Sequence, residues 1–84
     1  MSPDQTAIFE RIVSIITPYV RNPEALREVA PTTRLLDDLR VNSARMVDIV
    51  LELENAFDIE VGDEDATLVV TVGDAVDVVT RLRG

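Results

Sequence analysis

Apolar residues recur at helical spacing near the start of the chain. The stretch Ser2–Gln5 (SPDQ) has the form of a capping box, with proline at the first helical position. Pro18 and Pro23 interrupt the pattern that follows it. The spacing therefore predicts a first helix over roughly 4–17, whose apolar positions are Ile8, Phe9, Ile12, Val13, Ile15 and Ile16.

The clearest helical pattern covers residues 43–57. At 100° per residue, one face collects the apolar residues expected in the core: Met46, Ile49, Val50, Leu53 and Phe57. The opposite face collects Ala44, Val47, Asp48, Leu51, Glu52 and Asn55. Its apolar members are either isolated surface residues, which are common, or a small partner-binding patch edged by Asp48, Glu52 and Glu54. The helical wheel leaves both interpretations open.

Two further helices are predicted near the C-terminus. The segment 64–69 suggests a short helix, and Thr71 with Asp74 resembles a capping box before a last helix. The long proline-containing segment 18–41 offers a short helical turn around Glu24–Glu28, and it should be held down by Leu26, Val29, Leu35, Leu36 and Leu39. No second convincing strand accompanies TLVVTV. We predict one domain, residues 1–84, forming an all-α four-helix bundle with three longer helices and one short one.

The composition removes most catalytic chemistry. The chain has no cysteine, histidine or lysine, so it lacks a thiol nucleophile, the commonest general base and a Schiff-base amine. The adjacent acids Asp37 and Asp38 could suggest a hydrolase, but so small a domain has little room for a deep pocket. The acids Asp58, Glu60 and 63–65 lack the spacing of a calcium loop. We predict no enzyme and no metal site.

Charge is distributed unevenly along the chain. The formal net charge is −8, and residues 37–77 contain twelve of the sixteen acids but two of the eight arginines. This acidity disfavours nucleic acid and favours basic protein surfaces. No apolar run approaches membrane-spanning length, and the N-terminus lacks a secretion-signal pattern. We expect a cytoplasmic monomer without membrane insertion.

Asn42-Ser43 begins the central helix. Both residue types are preferred caps, so Ser43 could serve only to begin the helix. A hydroxyl on the first turn would equally project into solvent, where an attached phosphate would lie near free N–H groups and the positive end of the helix dipole. These residues alone favour the cap and leave an attachment point as the alternative.

The segment Leu35–Val79 resembles the acyl carrier proteins. That family's motif is Asp-Ser-Leu opening a helix, followed by alternating apolar and acidic residues that end in LE…F.IEI. Here the matching stretches are Leu51–Glu54, Phe57, Ile59–Val61, DEDA at 63–66 and Thr71–Val76. The N-terminal half matches by layout.

The resemblance implies that Ser43, next to Asn42, carries 4′-phosphopantetheine derived from coenzyme A. An acyl chain would be held as a thioester on that arm, sheltered by Met46, Val50, Leu53, Phe57 and Ile59. A phosphopantetheinyl transferase would load the arm. Acyl-transferring and ketosynthase-type enzymes with basic docking surfaces would then meet the helix at Ala44, Arg45, Val47, Asp48, Leu51, Glu52 and Glu54.

The chain departs from the family pattern around the serine. Asn42 replaces the usual aspartate, Ala44 the usual leucine, Arg45 an acid, and Arg40 a common glycine. These changes favour a specialised carrier over the housekeeping fatty-acid carrier. A peptidyl or aminoacyl carrier, and an acidic interaction domain with unmodified Ser43, remain the alternatives.

Overall fold

Residues 1–83, which the computed structural model describes, form a helical bundle. Four α-helices follow one another as α1 (Pro3–Ile16), α2 (Met46–Phe57), α3 (Asp63–Thr67) and α4 (Val72–Arg83). Three 3₁₀ helices lie between them, at Thr17–Tyr19, Pro23–Glu28 and Ser43–Arg45. Within these residues extended pairing is limited to an isolated bridge between Arg34 and Thr71. The predicted all-α bundle of three longer helices and one short helix is confirmed.

One apolar face of each long helix builds the core. Helix α1 packs against both α4 and α2. Removing this surface from water supplies the main driving force for folding. The helical residues in the core are Ile8, Ile12, Ile16, Ile49, Leu53, Phe57, Val72, Ala75, Val76, Val78 and Val79.

Both predicted capping boxes form. The Ser2 hydroxyl accepts from the Gln5 N–H at 3.2 Å, and the Gln5 side chain accepts from the Ser2 N–H at 3.3 Å. At α4, the Thr71 hydroxyl accepts from the Asp74 N–H at 3.0 Å, while the Asp74 carboxylate accepts from the Thr71 N–H at 3.0 Å. These bonds satisfy N–H groups that the helices leave unpaired.

The predicted helix ends need small corrections. The central helix was expected to be continuous over 43–57, but its first turn is 3₁₀, since the Arg45 N–H bonds to the Asn42 carbonyl. Helix α3 ends at Thr67 rather than 69, because the N–H groups of Leu68 and Val69 close tight turns onto Asp65 and Ala66.

The long segment before α2 is pinned as expected, with one exception. The N–H groups of Arg21 and Asn22 donate to the Leu39 carbonyl, at 3.1 and 3.2 Å. Leu35 and Leu39 are buried. The prediction that Leu36 packs inward was wrong: it is 44% exposed, because Leu35 takes the inward position beside it.

Asp74 makes the stability of the fold dependent on pH. Hydrogen bonds from the Thr71 and Val70 N–H groups hold its pKa below the ordinary 3.8, although partial burial opposes this. A lowered carboxyl pKa adds stability above the unfolded-state value and loses it as the pH falls through the folded-state value. Asp74→Asn replaces a charged acceptor by a neutral one and should therefore cost about 1 kcal/mol at neutral pH, and the difference from wild type should shrink below about pH 4.

Chemical denaturation at a series of pH values measures this effect. Asp77→Asn is the matched control, because it removes the same charge from an exposed position of α4. The usual pKa of an aspartate is about 3.9. If the loss of unfolding free energy in Asp74→Asn stayed constant down to about pH 2.5, well below that value, the assignment would be contradicted.

Arg40 adopts a backbone conformation that suits glycine. Its φ is 59°, which crowds the Cβ of any residue other than glycine and costs roughly 1–2 kcal/mol. Arg40→Gly should raise the free energy of unfolding by about 0.5–1 kcal/mol, since the relief exceeds the added unfolded-state entropy. Arg40→Ala loses the same charge but keeps the Cβ. An equal rise in the free energy of unfolding of Arg40→Ala would therefore show that the loss of charge, and not relief of the backbone, causes the effect. Thermal unfolding of both variants distinguishes the two causes.

Candidate functional site

Asn42, rather than Ser43, caps the turn that leads into α2. The Asn42 side-chain oxygen accepts from the Ala44 N–H at 3.0 Å, and its backbone is extended (φ −68°, ψ 128°). Ser43 is the first residue of the turn and is exposed. Within residues 1–83 its hydroxyl has no hydrogen-bond partner. Ser43 is therefore not needed as a cap, and its hydroxyl is available.

The backbone around Ser43 is held in place on both sides. Val41 is 4% exposed, and its N–H donates to the Leu35 carbonyl at 3.0 Å. After the serine, the Arg45 N–H donates to the Asn42 carbonyl at 2.8 Å. A buried anchor before the serine and a closed turn after it present the hydroxyl at the bundle surface.

A phosphopantetheine group fits these surroundings. The Ser43 oxygen is open to solvent, and the dipole of the helix that begins here favours a phosphate. The N–H groups of Ala44 and Arg45 are already bonded to Asn42, so side chains must supply the other donors. Two cations, Arg21 and Arg45, line the adjoining surface with Asn42. When bound, the group supplies a thiol on a long arm, a function that no residue of this cysteine-free chain provides.

The outward side of α2 presents a small apolar patch. Val47 is 66% exposed and Leu51 is 51% exposed, and Ala44 is exposed one turn before Val47. We call Ala44, Val47 and Leu51, with their polar rim of Arg45, Asp48 and Glu52, the docking face. Ala44, Val47, Leu51 and Glu52 are exposed, as the helical wheel predicted, whereas contact with a partner stays a prediction.

Internal contacts already engage the charged rim of the docking face. Arg45 pairs with Asp48 at 3.1 Å, with both side chains well exposed; such a pair contributes at most about 1 kcal/mol. The Tyr19 hydroxyl donates to Glu52 at 2.5 Å. This hydrogen bond raises the pKa of Tyr19, as do partial desolvation and the charges of Glu52 and Asp48, while Arg45 opposes them. A basic partner must compete with these contacts.

Glu54 lies apart from the docking face. Its carboxylate is half-buried and accepts from the Val61 N–H at 2.9 Å. The residue therefore fixes the connection between α2 and α3. Any additional role of Glu54 in partner binding stays a prediction.

The five residues expected to shelter an acyl chain all lie on the interior side of α2 or directly after it. Leu53 and Phe57 are buried, Met46 and Ile59 pack half-buried against the core, and Val50 is half-buried. The guanidinium groups of Arg11 and Arg83 lie 5.4 and 5.8 Å from the centre of the Phe57 ring. Contact of these five residues with an acyl chain stays a prediction.

Sequence reasoning missed two residues that share a cavity with Asn42 and Arg45, which lie close to Ser43 in sequence. Tyr19 and Arg21 line a cavity of about 470 Å³ together with Pro18, Asn42 and Arg45. More than twenty positions separate Arg21 from Ser43, and no motif connects them. The only available sequence signal was that Tyr19 is the single tyrosine.

Residues 1–83 lack the features of a membrane span and of a metal site. None of the helices there is both long enough and apolar enough to cross a membrane. Across the same residues, no group of three or more acidic, histidine or cysteine side chains is arranged to hold a metal ion.

Comparison with known proteins identifies the family. Residues 21–79 match the model of the phosphopantetheine attachment site. The fold is similar to that of the acyl carrier protein from Enterococcus faecalis, with a TM-score of 0.76 and 31% identity over 93% of this chain and 96% of that one. The chain, a carrier rather than an enzyme, thus belongs to the acyl carrier protein family.

Proposed function

We propose that Ser43 carries the 4′-phosphopantetheine arm and that the protein delivers an acyl thioester on this arm to enzymes of lipid, fatty-acid or polyketide-type biosynthesis. The supporting observation is the exposed Ser43 hydroxyl, left without a protein partner because Asn42 caps the turn. The terminal thiol of the arm forms the thioester. The protein itself supplies the position of the serine, the docking face and the interior apolar side of α2.

The docking face suits partners with a basic rim. Val47 and Leu51 offer apolar contact, and Asp48 and Glu52 offer negative charge beside it. The acidity of residues 37–77 would steer a basic surface towards this region and speed encounter. The transferase and the acyl-transferring and ketosynthase-type enzymes are the proposed partners.

Loading with coenzyme A tests the attachment point. Incubation with a broad-specificity phosphopantetheinyl transferase should add the mass of one phosphopantetheine group to the wild-type protein, and Ser43→Ala should abolish the gain. Ser14→Ala is the matched control, because it removes an exposed serine hydroxyl from α1. Failure of several transferases to load the wild type would favour an interaction domain with unmodified Ser43.

We further propose that the carrier is specialised for a particular pathway. Ala44 shrinks the apolar contact beside the serine, and Arg45 replaces negative charge by positive charge on the rim. A partner pocket built for an acid at that position would repel Arg45. Arg45→Asp should therefore increase elongation by standard fatty-acid synthase enzymes, and normal elongation on the wild type would refute specialisation.

The load itself distinguishes acyl from aminoacyl carriers. The loaded wild type should accept acyl groups from acyl-transferring enzymes. Preferential loading by amino-acid-activating enzymes would instead support a peptidyl carrier.

A further inference from the structure

We propose that the cavity lined by Arg21, Asn42 and Arg45 binds the phosphodiester of the group attached to Ser43. The inference rests on the proposed attachment at Ser43. We call this cavity the arginine notch; it is lined by Pro18, Tyr19, Arg21, Asn42 and Arg45.

Two sets of hydrogen bonds hold the segment that carries Arg21 against the chain before and after Ser43. The N–H groups of Arg21 and Asn22 donate to the Leu39 carbonyl, which holds this segment against the residues leading into Ser43. The Tyr19 hydroxyl donates to Glu52 and ties the same segment to α2. The wall of the arginine notch is therefore fixed both to the chain that precedes Ser43 and to α2, which follows it.

Donor groups in the arginine notch remain available for an anion. Within residues 1–83, Arg21 forms no salt bridge. Arg45 pairs with Asp48 through a single nitrogen, and a guanidinium has five N–H donors. The Asn42 oxygen is used in capping, which leaves its amide N–H groups. Arginine is well suited to phosphate because its planar donors match the phosphate oxygens.

The acidic surroundings oppose an anion, so the occupant of the arginine notch should be one that is already tethered to the protein. Attachment adds negative charge to a chain whose net charge is −8. Two acids also lie near the cavity, since Asp48 pairs with Arg45 and Glu52 accepts a hydrogen bond from Tyr19. The cations must offset this repulsion. Glu52 repels an anion on its own side, so the phosphodiester is expected between Arg21 and Asn42. A free phosphate would lack the tether and would bind more weakly.

Comparison of the apo and loaded proteins by NMR tests the proposal. Attachment should shift the side-chain N–H signals of Arg21, Arg45 and Asn42, but not those of Arg11 and Arg83, which lie beside Phe57. In loaded Arg21→Gln, the phosphorus signal should move towards that of a free phosphodiester. The fraction of protein molecules whose phosphodiester is bound in the arginine notch should fall about two- to fivefold. This is the change expected for the loss of an exposed charge pair worth about 0.4–1 kcal/mol. Added salt should have the same effect as Arg21→Gln.

Arg27→Gln is the matched control, because it removes an exposed arginine from the same long segment; it should leave the phosphorus signal unchanged. A mass gain on loading without any shift of the Arg21 signal would overturn the arginine notch while leaving attachment intact. Absence of the mass gain would instead overturn attachment at Ser43. Equal effects of Arg21→Gln and Arg27→Gln would attribute the change to overall charge and reject the site.

Discussion

Replacing Leu53 by alanine is expected to lower the free energy of unfolding by about 3 kcal/mol. Leu53 is 2% exposed and lies in the middle of the buried face of α2. The truncation loses apolar burial and leaves a cavity, which together cost about 2–5 kcal/mol in well-packed cores. Small domains are stable by only about 5–15 kcal/mol, so the melting temperature should fall by roughly 10–20 °C.

Leu51 provides the matched control for this experiment. It lies two residues earlier in the same helix and is 51% exposed, so Leu51→Ala makes the same chemical change outside the core. Its effect on unfolding should stay within about 0.5 kcal/mol. Denaturant titration of both variants measures the contrast, and equal destabilisation would show that α2 is not packed by the face described.

Replacing Leu51 by glutamate is expected to slow loading of Ser43 by about tenfold or more, a loss of about 1.4 kcal/mol. The substitution places a charge among the apolar residues of the docking face, where a partner must remove apolar surface from water. Folding should be little affected, because the side chain is half-exposed in the free protein. The measurement is the rate of mass gain with transferase and coenzyme A.

Asn55→Glu is the control for this second prediction. Asn55 is exposed one turn further along the same side of α2, so the variant adds the same charge outside the apolar patch. Its loading rate should stay close to that of the wild type. Equal slowing in both variants would attribute the effect to net charge, and unchanged loading of Leu51→Glu would exclude the docking face from transferase recognition.

Local sequence signals predicted the helices well. The repeat of apolar residues in α1 and α2 matches the faces that are buried, and both capping boxes form. These features depend on neighbours within about four positions, which the sequence displays directly. The exact ends were less accurate, because the choice between 3₁₀ and α geometry depends on single backbone hydrogen bonds such as that from Arg45 to Asn42.

Long-range contacts account for the errors and omissions. Leu36 was expected to pack inward, but only the folded loop shows that Leu35 occupies the inward position. Glu54 belonged by sequence to the acidic edge of a partner surface, yet the return of the chain after α2 brings the Val61 N–H to its carboxylate. The spacing of apolar residues along a helix does not show which residues from distant segments come into contact.

The sequence by itself determined the helical period, the caps, the acidic central region and the serine at the start of α2, because each depends on local spacing or on composition. The resemblance to a known family then singled out Ser43. Only the tertiary structure decided that Asn42 is the cap and that the Ser43 hydroxyl is free. It alone placed Tyr19 and Arg21 in one cavity with Asn42 and Arg45, which lie close to Ser43 in sequence, because hydrogen bonds between distant segments, rather than helical spacing, bring them there.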